Sequence, residues 1–154
     1  MTQAGYSGRP LSAKLGLKPG MTCWRHEMPE EIVALLDKQE PGQQLQPSPI
    51  AGLSFAHVFT REREELSALL EKLRGLLAAD GMIWVSWPKK SSKVPTTVTE
   101  DVVREVCLPM GLVDVKVCAV DAVWSGLKLV IRKELRKEHE SRLNLLTPAD
   151  QRDP

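Results

Sequence analysis

MIWVSW, residues Met82 to Trp87, is the segment of this 154-residue chain that best indicates its fold class. It is apolar apart from Ser86, and a short apolar run of this kind is typical of a strand that is buried on both faces of a sheet. After a polar loop and a helical segment come two more strands, Leu112 to Val120 and Trp124 to Arg132, which are close enough in sequence to pair. These elements predict the closing half of an α/β sheet.

Upstream, the opening half follows the same order of strand and helix. Met21 to His26 is predicted as a strand, and the helix after it begins near Pro29, a residue tolerated in a first helical turn. A second apolar strand spans Leu53 to Phe59. The strongest helix follows over Arg61 to Ala79, with leucines at i, i+3, i+4 and i+7 spacing, and Gly81 is expected to end it.

In the closing half, the sequence predicts one helix and an antiparallel strand pair at the edge of the sheet. Thr97-Val98-Thr99-Glu100 has the form of a capping box and predicts a helix that runs to Pro109. Apolar and polar residues alternate in the last two strands, which predicts a one-sided antiparallel edge. The apolar set comprises Val113, Val115, Val117, Ala119, Leu127, Leu129 and Ile131.

One domain is predicted, flanked by two terminal segments. Residues 1–10 are polar and predict a flexible N-terminus, and residues 11–132 form a single α/β domain. Residues 133–154 form a charged C-terminal helix and tail that we expect to fray, because leucines are sparse among the charges. This tail should therefore be dispensable for folding.

Composition narrows the function classes. Lys and Arg number 21 and Asp and Glu 20, and this net charge of +1 lacks the basic excess that drives nonspecific nucleic-acid binding. Cys23, Cys107 and Cys118 are odd in number and form no C-x-x-C pair, which predicts buried, reduced thiols, no metal site and a cytoplasmic location. We expect neither secretion nor membrane insertion, because Met1 to Arg9 lacks an apolar signal-peptide core and no apolar run approaches the ~20 residues of a spanning helix.

Five short motifs carry a family resemblance that covers roughly residues 5 to 135. As a set they resemble a bacterial family of domains of unknown function, which implies no activity. The order of strands and helices resembles class I S-adenosylmethionine-dependent methyltransferases, which implies a Rossmann-like, mostly parallel sheet with a C-terminal antiparallel strand pair and helices on both faces. The motifs are Gly5-Tyr6-Ser7-Gly8, Lys14 to Gly20, Trp87-Pro88-Lys89-Lys90, Thr99 to Arg104 and Trp124 to Lys128.

Two features that the methyltransferase resemblance implies are missing. Those enzymes have a Gly-rich turn after the first strand, whereas His26-Glu27-Met28-Pro29-Glu30-Glu31 has bulky side chains that block close approach of a cofactor. They also bind the ribose hydroxyls with an acidic residue after the second strand. Gln43 to Pro49, which leaves room for a short strand near Gln43 to Gln46, contains no carboxylate. We therefore predict no bound cofactor and no measurable binding of S-adenosylmethionine.

Candidate site residues fall in two places. A strand-end cleft is predicted from His26, Glu27, Thr60 and Trp87, because ligands of open α/β sheets bind at the carboxyl ends of the strands. No nucleophile or metal-ligand set accompanies His26, so a singly bonded surface histidine explains it equally, and we assign no catalytic residue. His57 lies in an apolar strand and is predicted to be buried and hydrogen-bonded.

The loop after the central strand is the second candidate. Lys89, Lys90, Ser91, Ser92, Lys93 and Thr97 combine positive charge and hydroxyls between a strand end and a helix start, which suits a phosphate or carboxylate. A solvated loop has the same composition, so both interpretations stay open.

The function that the sequence favours is a noncatalytic binding module on a degenerate methyltransferase-like fold. Its partner would be a small anionic ligand or a protein, and the oligomeric state is undetermined. A divergent S-adenosylmethionine-dependent methyltransferase or other transferase is the alternative, and nucleic-acid binding is a weaker one.

Overall fold

The computed structural model describes residues 9–146, and its centre is a six-stranded sheet. The spatial order of the strands is β2-β1-β3-β4-β6-β5, in which β1 to β4 run parallel and β6 is antiparallel to both of its neighbours. The strands are β1 (Thr22–His26), β2 (Gln44–Leu45), β3 (Leu53–Phe59), β4 (Leu77–Pro88), β5 (Leu112–Ala119) and β6 (Trp124–Ile131).

Within residues 9–146, five α-helices and three short 3-10 turns surround the sheet. The helices are α1 (Leu11–Leu15), α2 (Glu30–Gln39), α3 (Arg63–Leu76), α4 (Glu100–Cys107) and α5 (Arg136–Leu146), and the 3-10 turns are Lys90–Ser92, Leu108–Met110 and Lys133–Leu135. This architecture confirms the predicted Rossmann-like α/β class. The expectations for residues 1–8 and 147–154 lie outside the described residues.

Two apolar layers hold the sheet between its helices, because alternate residues of a strand face opposite sides. On one side Ala56 and Val58 of β3 pack with the leucines of α3 and the apolar residues of α4. On the other side Phe55 and Phe59 pack with α1 and α2. Helices therefore cover both faces, and β3 is buried along nearly its whole length, as its apolar sequence predicts.

The turn from α3 to β4 differs from the prediction. The helix ends at Leu76, not at Ala79, and the strand begins at once with Leu77, which pairs with Leu53. Gly81 consequently lies inside β4. A Cβ atom at this position would lie 2.9 Å from the carbonyl oxygen of Leu53, so the glycine permits a close approach of two strands instead of ending a helix.

The start of α4 also differs in detail. The N-cap is Thr99, whose hydroxyl accepts a hydrogen bond from the backbone N–H of Val102 at 3.1 Å. Thr97, the predicted first residue of a capping box, instead accepts a bond from the N–H of Arg63 at 2.7 Å. The helix ends at Cys107 and continues into a 3-10 turn through Pro109.

The last strand pair is antiparallel as predicted, but only β6 has the predicted alternation of buried apolar and more exposed polar side chains. Leu127, Leu129 and Ile131 are buried. In β5 a bulge between Asp114 and Lys116 breaks the register, and Val115 and Val117 are about half exposed, at 55% and 54%. One extra residue turns the following side chains to the other face, so the predicted apolar face of β5 is wrong.

The C-terminal helix α5 is docked on the domain. His139 Nε2 donates a hydrogen bond to the carbonyl oxygen of Leu77 at 2.6 Å, and His139 Nδ1 accepts one from Arg74 Nη1 at 3.1 Å. Leu143 is buried as well. The expectation that this segment docks only weakly is therefore wrong for Lys133 to Leu146. The buried polar side chain of His139 and the buried Leu143 together hold this helix on the domain, although leucines are sparse in its sequence.

Candidate functional site

The carboxyl ends of β1, β3 and β4 form one edge of the sheet, and two clefts open along it. The chain passes from β1 to β2 on one side and then crosses to β3 on the other side, so the strand order reverses between β1 and β3. A reversal of this kind leaves a crevice between the connections, which is where open α/β sheets bind ligands.

The cleft at this reversal, which we call the switch-point cleft, has a volume of about 300 Å³. This lies at the lower end of the range for small-molecule sites. Phe59 and Trp124 form its aromatic side, with their rings edge to face at a centroid distance of 5.1 Å. Its lining residues are Glu27, Phe59, Thr60, Arg61, Glu65 and Trp124.

Glu65, in the first turn of α3, connects the two strand ends. Its carboxylate accepts a hydrogen bond from Thr60 Oγ1 at 2.5 Å, and it lies 3.2 Å from His26 Nε2. The hydrogen bond from Thr60 is the main cause that lowers the pKa of Glu65, and the contact with His26 adds to it. The cleft therefore contains an ionised carboxylate at neutral pH.

Glu27 occupies the turn directly after β1 with a left-handed backbone, at φ 54°. A side chain in this region is strained, and such residues concentrate at functional sites. Glu27 is exposed and borders the cleft, so its carboxylate is accessible to a ligand there.

The neighbouring edge of β2 has less to offer a ligand. The strand has only two residues, and Gln46 beyond it is held by a backbone bond from its N–H to the Cys23 carbonyl oxygen at 2.8 Å. Two acidic side chains near β2 already have partners: Asp37 pairs with Arg25 at 2.6 Å, and Glu40 Oε2 accepts a hydrogen bond from the backbone N–H of Gly42 at 3.2 Å. The segment Gln43 to Pro49 itself contains no carboxylate for ribose hydroxyls.

The second cleft, which we call the lysine cleft, has a volume of about 530 Å³ and lies beyond the end of β4. Lys89, Lys90 and Lys93 line it together with Trp87 and Thr96. The two clefts are neighbours, because Trp124 borders the first and the next residue, Ser125, borders the second.

The predicted site residues are distributed unevenly between these clefts. Glu27 and Thr60 line the switch-point cleft and His26 reaches it through Glu65, whereas Trp87 belongs to the lysine cleft.

In the predicted anion loop, Lys89, Lys90 and Lys93 line the lysine cleft and Ser91 does not. The Ser92 hydroxyl donates to the Lys89 carbonyl oxygen at 2.6 Å, so it holds the loop together and is not directed at a ligand. The Thr97 hydroxyl accepts from the Arg63 backbone, as described above.

Sequence reasoning missed Glu65 and Arg61 and did not place Trp124 at the switch-point cleft. Glu65 follows Thr60 by five residues in a run of charges, and the same run is typical of a solvated helix face. Only the position of α3 over the end of β1 brings its carboxylate to His26. Trp124 carried a signal, since an aromatic residue opens the strand that neighbours β4.

His57 is buried and hydrogen-bonded, as predicted. Its side chain is fully buried, its Nε2 lies 2.8 Å from the Ser86 hydroxyl, and its ring stacks on Phe59. Burial and, to a smaller extent, the charge of Arg25 lower the pKa of His57 to about 3. A histidine that stays neutral beneath the cleft is a structural residue.

The three cysteines are buried and unpaired, as predicted. Burial raises the pKa of Cys23 and of Cys107 to about 11, so neither is a thiolate nucleophile. Within residues 9–146 no cluster of three or more His, Cys, Asp or Glu is placed to hold a metal ion. In the same range, every helix is too short or too polar to cross a bilayer.

No protein-family model and no curated protein matches this chain. Solved structures do match its fold. A putative type 11 methyltransferase from Sulfolobus solfataricus is 11% identical with a TM-score of 0.58, over 80% of this chain and 90% of the other. An S-adenosylmethionine-dependent methyltransferase from Aquifex aeolicus is 16% identical with a TM-score of 0.56, over 79% and 88%.

LepI, solved in complex with S-adenosylmethionine, is 14% identical with a TM-score of 0.50 over 79% of this chain. The match spans only 39% of the LepI chain. At these identities the likeness establishes a methyltransferase-like fold and nothing finer.

Proposed function

We propose that this protein is a divergent transferase of the methyltransferase-like fold, with its cofactor in the switch-point cleft. The observation that supports this most is the position of that cleft, which opens between β1 and β3 where the strand order reverses. The methyltransferase likeness supports the transferase alternative more than the noncatalytic module that the sequence favours.

The chemistry of the cleft agrees in part with an S-adenosyl cofactor, which supplies an electrophilic methyl group when bound. Its sulfonium is positively charged, and Glu27 and Glu65 place two carboxylates at the cleft. Phe59 and Trp124 offer aromatic surface on which a base can stack. The segment Gln43 to Pro49 offers the ribose no carboxylate, so binding should be weak.

Calorimetric titration with S-adenosylmethionine and S-adenosylhomocysteine tests the proposal. We expect saturable binding of the methyl donor with a dissociation constant on the order of 10⁻⁴ M, and about fivefold weaker binding by Glu27→Gln/Glu65→Gln. Glu64→Gln is the control, because Glu64 is exposed in the same helical turn but does not line the cleft. Absence of saturable binding would remove the transferase proposal.

A noncatalytic binding module remains the second candidate. The specific observation in its favour is the β2 edge, where Asp37 is paired with Arg25 and Gln43 to Pro49 contains no carboxylate. Under this proposal neither S-adenosyl compound binds, and the partner is a small anion or a protein. The cytoplasmic location stays part of both proposals.

A further inference from the structure

We propose that the lysine cleft binds an amphipathic anion, an apolar or aromatic body that carries one phosphate or carboxylate group. This goes beyond the proposed function, because the site requires no methyl donor. The volume of about 530 Å³ suits a small organic molecule.

The charges of the cleft are unbalanced. Lys89, Lys90 and Lys93 line it, and in the part of the chain that the structure describes no salt bridge involves any of the three. Glu100 is the one acidic residue in the lining, and its carboxylate is taken up by Arg104. Three ammonium groups without counterions attract an anion.

The floor of the cleft is apolar. Trp87, Pro88 and Val98 are buried beneath it, and Val94 and Pro95 supply the apolar surface that a ligand can reach. A bare inorganic ion would leave that surface in contact with water. A ligand with a hydrocarbon or aromatic body covers it and gains the hydrophobic term in addition to the charge.

The loop that carries the lysines is held in place before any ligand arrives. The backbone N–H of Lys89 donates to the Val123 carbonyl oxygen at 2.7 Å, and the N–H of Val94 donates to the Ser92 hydroxyl at 3.2 Å. Lys93 is fixed in a left-handed conformation at φ 62°. A preformed loop loses less conformational entropy on binding.

The anion belongs at the lysines and not at the start of α4. Glu100 and Asp101 occupy the first turn of that helix, where their charges already complement the positive end of the helix dipole. The lysine ammonium groups therefore carry the interaction.

Titrations followed by calorimetry test this site with four probes: phenyl phosphate, benzoate, inorganic phosphate and uncharged benzyl alcohol. We expect saturable binding of phenyl phosphate or benzoate, about tenfold tighter than inorganic phosphate, and no binding of benzyl alcohol. The first two probes distinguish a phosphate site from a carboxylate site. Raising the salt concentration should weaken binding.

Two triple variants carry the same loss of charge. Lys89→Ala/Lys90→Ala/Lys93→Ala should weaken binding at least about tenfold, whereas Lys38→Ala/Lys72→Ala/Lys137→Ala, at exposed lysines outside the cleft, should not. Melting curves check that both variants are folded. Binding that survives the first variant, weakens equally in the second or never saturates in the wild type overturns the proposal. Titration of the first variant with S-adenosylmethionine keeps the two proposals separate, because that result should not change.

Discussion

At the scale of single residues, His57 links the stability of the domain to pH. Its pKa is lowered from 6.5 to about 3 because the imidazolium would be buried without solvation. The unfolded chain binds a proton near pH 6.5 and the folded chain does not, so stability is complete above that pH and is lost as pH falls toward 3.

We predict that the free energy of unfolding falls by about 2 kcal/mol between pH 7.5 and pH 5 through this residue alone. Denaturant unfolding at the two pH values measures it. His57→Gln removes the titrating group, so its stability should change by about 2 kcal/mol less over the same interval. An identical pH dependence in both proteins would show that His57 is not the coupled group.

The environment of a single residue can be predicted when the sequence next to it determines that environment. An apolar strand around His57 is enough to predict burial with one hydrogen bond. Glu65 is different, since its role depends on where helix α3 crosses the sheet, and no local pattern encodes that crossing. The site residues contributed by a neighbouring element were therefore missed.

At the scale of secondary-structure elements, we predict opposite changes in stability when two glycines, one in β4 and one in α3, are replaced by alanine. Gly81→Ala should cost about 1 to 3 kcal/mol, because its Cβ would meet the Leu53 carbonyl oxygen at 2.9 Å. Gly75→Ala, in α3 with open space around it, should be neutral or stabilise the fold by up to about 1 kcal/mol. Thermal unfolding of the pair measures both, and a neutral Gly81→Ala would contradict the close strand approach.

Helix α5 gives the second prediction at this scale. Truncation after Lys133 removes the buried His139 and Leu143, and we expect a loss of about 3 kcal/mol and a melting temperature about 10 °C lower. Within the full chain His139→Ala should reproduce part of this loss, whereas Leu145→Ala, at an 85% exposed position, should not. An unchanged melting temperature after truncation would restore the expectation of a dispensable tail.

The predicted element boundaries are wrong where tertiary contacts override local sequence signals. Helix α3 ends and strand β4 begins before Gly81 is reached, because Leu77 pairs with Leu53. The β5 bulge exposes two valines that alternate correctly in the sequence. Periodicity shows which face of an element is buried, and it therefore predicts that the elements exist and in which order they occur. It does not show at which residue strand pairing begins, so it does not predict the boundaries.

At the scale of the whole molecule, the strand order determines which strand ends lie together and so where a binding site can form. The sequence predicts the α/β class and the reversed last pair, and these place the carboxyl ends of β1, β3 and β4 on one edge. It does not predict that the edge is open, because openness depends on where Glu27 and Trp124 lie around the cleft. We propose that this edge binds the ligand.

Chemical-shift mapping of the ¹⁵N-labelled protein during titration with S-adenosylmethionine tests that claim most directly. We predict saturable shifts confined to the amides of His26 to Met28, those of Thr60 to Glu65 and the indole of Trp124, which surround the switch-point cleft. Amides of α5, at a distance from this edge, serve as the internal control. Shifts that are absent, or that cluster on α5 and leave the strand ends unchanged, would contradict the account.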